Sequence, residues 1–206
     1  MARPRKDADE PGARERIADA FWELLECAPR SAMTVGAVVK AAGCNRGTFY
    51  YYFSDLDVLA ASAVREEFFS DDALVRAIFG ALVEGDAGSL QRRVPRRRLR
   101  RMAIAIRAGE RRLVDQTIRS EVQRRWESCL CAEGEHLKPA ATFAIQFMVG
   151  GVLGFIAEAT ERGALPCPLS PEARAYLASV ARATIEAVAD AQGMTPVEVL
   201  ARVFHD

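Results

Sequence analysis

Between Asn45 and Phe53 the chain runs Asn-Arg-Gly-Thr-Phe-Tyr-Tyr-Tyr-Phe, placing one arginine, one threonine and three consecutive tyrosines within nine residues. Tyrosine and threonine hydroxyls hydrogen-bond phosphate oxygens, and an arginine fork matches the paired acceptors of guanine. Gly47 lets a backbone or a thymine methyl come close. Phe49 and Phe53 stand four apart, so on a helix both face one way. Arg46, Gly47, Thr48, Tyr50 and Tyr51 are left on the other sides. Such a run makes a poor solvated face and a good reader of phosphates and base edges.

The elements that position it lie just upstream. Thr34 is suited to cap a helix, its hydroxyl accepting from a first-turn amide. Val35, Val38, Val39 and Ala42 follow at i, i+3, i+4 and i+7, one apolar stripe. Gly43 stands where a left-handed residue stops that helix, and Asn45 caps the next. Two helices joined by a glycine-bearing turn form a helix-turn-helix, whose second helix enters the DNA major groove. Residues 13–28 predict an amphipathic helix with Ile17, Phe21, Leu24 and Ala28 on its inner face, the third wall of a small core. Ser54 and Asp57 predict a capping-box start to a fourth helix, carried by Leu56, Leu59, Ala60, Ala63 and Val64 toward Ser70.

The string Ala41 to Phe53, with Thr34 nine residues before Gly43 and Leu59 six after Phe53, resembles the DNA-binding domain of the tetracycline-repressor (TetR) family, over Ala13 to about Ser70. The resemblance implies a homodimeric, ligand-released transcriptional repressor on a palindromic double-stranded operator. It also implies contacts to bases and phosphates from Thr34, Asn45, Arg46, Gly47, Thr48, Tyr50, Tyr51 and Tyr52. Three positions depart from the family pattern. Gly36 stands where a polar contact residue is common, Leu56 where a lysine is frequent, and Cys44 where valine is usual.

The whole chain has 206 residues, half of them hydrophobic, enough for a sizeable core in one or two domains. Its net charge is zero, which counts mildly against nucleic acid. Locally the balance differs: Arg30 to Phe53 holds the bases Arg30, Lys40 and Arg46 and no acid. Cys27, Cys44, Cys129, Cys131 and Cys167 are scattered and odd in number, and no apolar leader is evident, so reduced thiols and a cytoplasmic location are expected. Residues 1–12 read as a polar arm. Arg3, Pro4 and Arg5 either reach a minor groove or form a solvated tail.

Residues 71–206 show no sustained alternation and read as helical. Leu74, Ile78 and Leu82 mark one helix, interrupted near Gly85 to Ser89. Arginines crowd Arg92 to Arg125, including Arg96, Arg97, Arg98, Arg100 and Arg101. They suit either an anionic ligand or a solvated face with Leu99, Met102 and Ile106 turned inward. Cys129, Cys131 and His136 do not have a standard zinc spacing, and no metal or cofactor is expected. Pro139 to Ala157 is uncharged, with Thr142 and Gln146 its polar residues and Gly150-x-x-x-Gly154 within it. It is either a short membrane span or, the preferred reading, the buried spine of a helical domain. Gly163 to Pro168 is a loop, and Ser170-Pro171 opens a helix with Leu177, Val180, Thr184 and Val188 as its stripe. Gly193 ends it. Thr195 to Glu198 caps a last helix, with Val197, Leu200, Ala201 and Phe204 packing down.

The fold class is therefore all-α. An arm (1–12) precedes a three-helix helix-turn-helix domain (13–53), a linking helix (54–70) and a helical ligand-binding and dimerisation domain (71–206). Apolar bulk nominates Met102, Ile106, Trp126, Phe143 and Phe147 for a small-molecule pocket, the inducer being apolar or amphipathic. The last two long helices nominate Gly150, Gly154, Leu177, Val180, Thr184 and Val188 for the homodimer interface. An enzyme finds little support: the histidines are His136 and His205, and no nucleophile elbow or phosphate loop is present. The alternative is a membrane-associated or small-molecule-binding helical protein without sequence-specific DNA binding.

Overall fold

A computed structural model describes residues 12–71, 76, 80, 94–108, 110–163 and 170–204, with Phe204 by its backbone alone. Residues 1–11 of the arm, Leu74, Ile78 and Leu82, Arg92, Cys167 and His205 lie outside the described residues, as does most of the loop before Ser170. Among the described residues there are nine α-helices, one 3-10 turn and no strand. The chain divides into two units, Met1–Val64 and Arg65–Asp206.

The first unit holds α1 (Ala13–Cys27), the 3-10 turn Arg30–Ala32, α2 (Val35–Ala41), α3 (Arg46–Tyr52) and the start of α4 (Leu56–Phe69). Its core is closed by Ile17, Phe21, Val38, Phe49 and Leu59, all fully buried. The inner face of α1 differs from the expected stripe. Ala20, Trp22 and Leu25 are buried, Leu24 only partly, and Ala28 is exposed. The cause is local: the helix stops at Cys27, and Ala28 turns extended before it can complete the stripe.

Gly43, at φ +60°, ends α2, and Cys44 N–H donates to the Val39 carbonyl across it (3.0 Å). The start of α4 is also not as expected. Asp55, rather than Ser54 with Asp57, accepts from the Val58 amide (2.8 Å), and Ser54 Oγ donates to Asp55 (2.9 Å). These bonds, that of Val58 first, hold the Asp55 carboxyl below its ordinary range. Asp57 is instead ion-paired with Arg30.

The second unit contains α5 (Arg96–Arg107), α6 (Arg111–Leu130), α7 (Pro139–Glu161), α8 (Pro171–Gln192) and α9 (Pro196–Phe204). α7 packs most extensively on α8 and also on α5 and α6; α9 lies against α8 and α6. Ser170 caps α8 by accepting from Ala173 N–H (3.2 Å), with Pro171 in the first turn. Gly193 ends it at φ +73°. Thr195 and Glu198 form the expected reciprocal box: Glu198 accepts from the Thr195 amide (2.8 Å), and Thr195 Oγ1 accepts from the Glu198 amide (3.2 Å). That box starts α9 in a phase that buries Val199 and Val203, so Val197 and Ala201, expected to pack, face outward.

α7 is not the spine buried all round that its composition suggested. It is the one helix among the described residues long and apolar enough to cross a membrane, yet only 28% of its apolar window is buried. Its neighbours cover one side, over Ala141, Ile145, Met148 and Val149. Phe143 (71% exposed), Phe147 (68% exposed), Gly151 and Phe155 line the open side at four-residue spacing.

Because Phe49 closes the small core from α3, Phe49→Ala is expected to cost about 3–5 kcal/mol. Chemical denaturation should show this as an earlier loss of the first unit.

Candidate nucleic-acid interface and ligand cleft

α3 is seven residues long and owes its existence to its two ends and one face. Asn45 Oδ1 accepts from the Thr48 amide (2.8 Å) and hydroxyl (3.2 Å), satisfying the first turn. Phe49 and Phe53 are buried, 5.9 Å apart. The opposite face is open: Asn45, Arg46, Gly47, Tyr50, Tyr51 and Tyr52 are exposed, Tyr51 at 81%, while Thr48 is half-buried. Edge contacts set the tyrosine rings, Tyr50 on Phe49 (5.3 Å) and Tyr51 on Tyr52 (4.8 Å).

Thr34 is exposed too, and its hydroxyl oxygen accepts from the Ala37 amide (3.1 Å), leaving the hydroxyl proton to donate outward. Gly36 lies beside it. A side chain begun there would stand 3.5 Å from Arg46 Nη2, so the Arg46 guanidinium sits over the first turn of α2. A Cβ on Gly47 would come 3.1 Å from the Asn45 cap oxygen, a second reason for glycine at that point.

Most other bases in the unit serve its own packing. Arg30 pairs with Asp57 and is not a free charge of the interface, as its place in the acid-free stretch had suggested. Arg14 lies over the Phe53 ring (5.9 Å) and donates to Ser62 (3.0 Å), and Arg16 donates to the Ala42 carbonyl (3.3 Å). Lys40 and Arg46 are the exposed bases of α2 and α3.

In the second unit a cleft of about 140 Å³ opens between α5, α6 and α7. Ile106, Val114, Leu153 and Ala157 form its apolar walls, and Gly150 and Gly154 its narrow side. Arg111, Asp115 and Arg119 supply the charge. Of the five residues nominated for a pocket, Ile106 alone lines this cleft. Trp126 is buried in the packing of α6, Met102 is half-buried, and Phe143 and Phe147 are on the open face of α7. The dimer nominations are redistributed as well. Gly150 and Gly154 face the cleft; Thr184 and Val188 are buried within the subunit; Leu177 and Val180 are half-buried.

Sequence reasoning missed Asp115, Arg119, Val114 and Leu153. The signal was Gln146, a polar residue on an apolar helix that needed a partner. It accepts from Arg119 Nη1 (3.2 Å) and donates to the Arg119 carbonyl (3.3 Å) and to Gln123 (3.2 Å).

The second half of α4 is tied to the helices that line the cleft. Glu67 pairs with Arg101 of α5, both largely buried. Glu121 of α6, also buried, accepts from Arg65 of α4 (2.5 Å) and Arg124 (2.9 Å). The arginine-dense region is thus engaged by acids at several positions, Arg98 with Asp71 (3.9 Å) among them, and Arg96, Arg97 and Arg100 are exposed.

Cys129, Cys131 and His136 do not converge. Cys131 Sγ accepts from Gln192 (3.6 Å), and His136 Nδ1 lies 3.3 Å from Glu127. Burial first, then the carboxylates of Glu127 and Glu135, raise the Cys131 pKa, which keeps the thiol protonated. Among the described residues no group of three or more metal-binding side chains is gathered.

A helix stopped by glycine, a turn, and a capped second helix with an aromatic-polar open face define a helix-turn-helix DNA-binding protein. Residues 17–63 match the family model described as bacterial regulatory proteins, tetR family. That match supports a TetR-family DNA-binding transcription regulator, read from the DNA-binding domain. No curated protein matches it.

Losing the hydroxyl that caps α2 is expected to cost about 0.5–2 kcal/mol in Thr34→Ala, with Thr34→Ser close to the parent. Thermal unfolding of the three proteins checks this.

Proposed function

We propose that the chain is a homodimeric repressor, acting in the cytoplasm, that binds a palindromic operator and is released by a small molecule. The observation that carries the DNA half is the open face of α3, which offers Arg46, Tyr50, Tyr51 and Tyr52 beside the Thr34 hydroxyl while Phe49 anchors the helix behind them. Asn45, Gly47 and Thr48 set the start of the helix and allow the backbone to approach. With Arg30 paired and net charge zero, affinity rests on these contacts more than on a broad positive field.

The open face of α7 supports the homodimer. Phe143, Phe147 and Phe155 form an apolar stripe, with Tyr176 of α8 also exposed, a composition suited to an isologous contact with a second copy. A membrane is the less suitable cover. α7 is bound on its other side to α6, whose Arg119, Asp115 and Glu121 would enter lipid with it. Two readers in such a dimer need a separation of about 34–36 Å to meet successive major grooves. A ligand in the α5–α7 cleft acts on helices to which α4 is ion-paired, and so favours a spacing the operator does not accept. Its differential affinity for the two states supplies the work.

Selection from a random duplex library at near-physiological salt is expected to enrich a two-fold palindrome. Tyr51→Ala should then weaken binding about tenfold or more, from roughly 1 kcal/mol per lost hydrogen bond at each half-site. Unchanged affinity would remove Tyr51 from the reader face.

Phe147→Glu places two like charges against each other in the proposed dimer and should yield a folded monomer in sedimentation. A dimer persisting in Phe143→Glu/Phe147→Glu would move the interface elsewhere.

A further inference from the structure

Arg119 is held as a binding group is held. Its Nε donates to Asp115 one turn earlier (2.7 Å), and its Nη1 donates to the Gln146 carbonyl (2.8 Å) and side-chain oxygen (3.2 Å). Nη2 has no acceptor among the described residues. That nitrogen lies directly against Gly150, where a Cβ would collide with it, so the guanidinium occupies space that only glycine leaves on α7. A fixed guanidinium keeps an open edge of two N–H donors in a cleft with apolar walls at Ile106, Val114, Leu153 and Ala157.

We infer that this cleft binds a small organic acid, its carboxylate on Arg119 Nη2 and its apolar body against Ile106, Val114, Leu153 and Ala157. The inference deepens the reading of the chain as a ligand-released regulator and rests on it for the regulatory consequence alone. Charge favours an acid over an amine. The lining has two guanidiniums, Arg111 and Arg119, and one carboxylate, Asp115. Arg119 Nε engages Asp115 and Arg111 pairs with Glu161 (3.4 Å), which leaves Arg119 Nη2 as the donor without an acceptor among the described residues. An amine would find the Asp115 carboxylate already engaged by a guanidinium. Size sets the body: about 140 Å³ is close to a cavity that admits one benzene ring.

The test is calorimetric titration of the full chain with hexanoate and benzoate, then with hexanamide, benzamide and hexylamine. The acids should bind at least about tenfold more tightly than the amides, because a charge-assisted hydrogen bond is worth more than a neutral one. Hexylamine should do no better than the amides. Arg119→Gln should erase the acid preference, and Gly150→Ala, which leaves every charge in place, should weaken acid binding by displacing the guanidinium. Equal binding of acid and amide, no binding of any probe, or acid binding unchanged in Gly150→Ala overturns the inference. If Arg119→Gln does not fold, the parent series and Gly150→Ala decide. Acid binding that leaves operator affinity unchanged would keep the site and overturn release by ligand. A selected palindrome with no acid binding would overturn the acid site alone.

Discussion

A helix of seven residues has no stability of its own in water, because the nucleation cost is not recovered over so few hydrogen bonds. Everything about α3 answers that constraint. Asn45 satisfies the first turn, and Phe49 and Phe53 are buried in the same small core as Ile17, Phe21, Val38 and Leu59. Anchoring by one face leaves the others free for side chains chosen on grounds other than stability. Tyrosine suits that freedom, since a ring with few rotamers loses little entropy on making a contact. Ring-on-ring packing between Tyr51 and Tyr52 has already restricted both.

The same economy governs charge. A helix-turn-helix gains affinity from arginines facing phosphate, yet Arg14, Arg16 and Arg30 all engage groups of their own unit. What they supply is the fixed placement of α1, α2 and α4 around α3. The exposed charge of α2 and α3 is reduced to Lys40 and Arg46. Recognition through a few placed donors loses less of its affinity to salt than recognition through many phosphate pairs.

Local chemistry was legible in the sequence, and long-range choice was not. The caps at Thr34, Asn45, Ser170 and Thr195 and the stops at Gly43 and Gly193 depend on residues within one turn, and all stand where spacing put them. Asp55 was missed only because two capping side chains stand next to each other in Ser54-Asp55. Helical period, by contrast, reveals a stripe without revealing what it meets. Thr184 and Val188 form a proper stripe on α8 that is buried within the subunit. On α7 no stripe exists to read, since apolar residues go all the way round, and Phe143 and Phe147 could not be told from Ile145 and Met148 by type. Arg119 was hidden among many arginines, and nothing in its own neighbourhood marks it as one that lines the cleft.

What distinguishes Arg119 is a pair of residues on another helix, Gln146 to hold it and Gly150 to admit it. One turn of α7 thereby does two jobs on opposite faces, closing the α6 seam on one side and presenting phenylalanine on the other. The ion pairs of α4 follow a related logic. Glu67 and Arg101 are both largely withdrawn from water, and breaking such a pair by removing one partner costs about 3–5 kcal/mol. A surface pair slips at little cost and passes on little displacement. A buried one holds, so α5 and the second half of α4 shift as one body or not at all. Such all-or-none linkage is what a small ligand needs if its modest binding energy is to select between two arrangements.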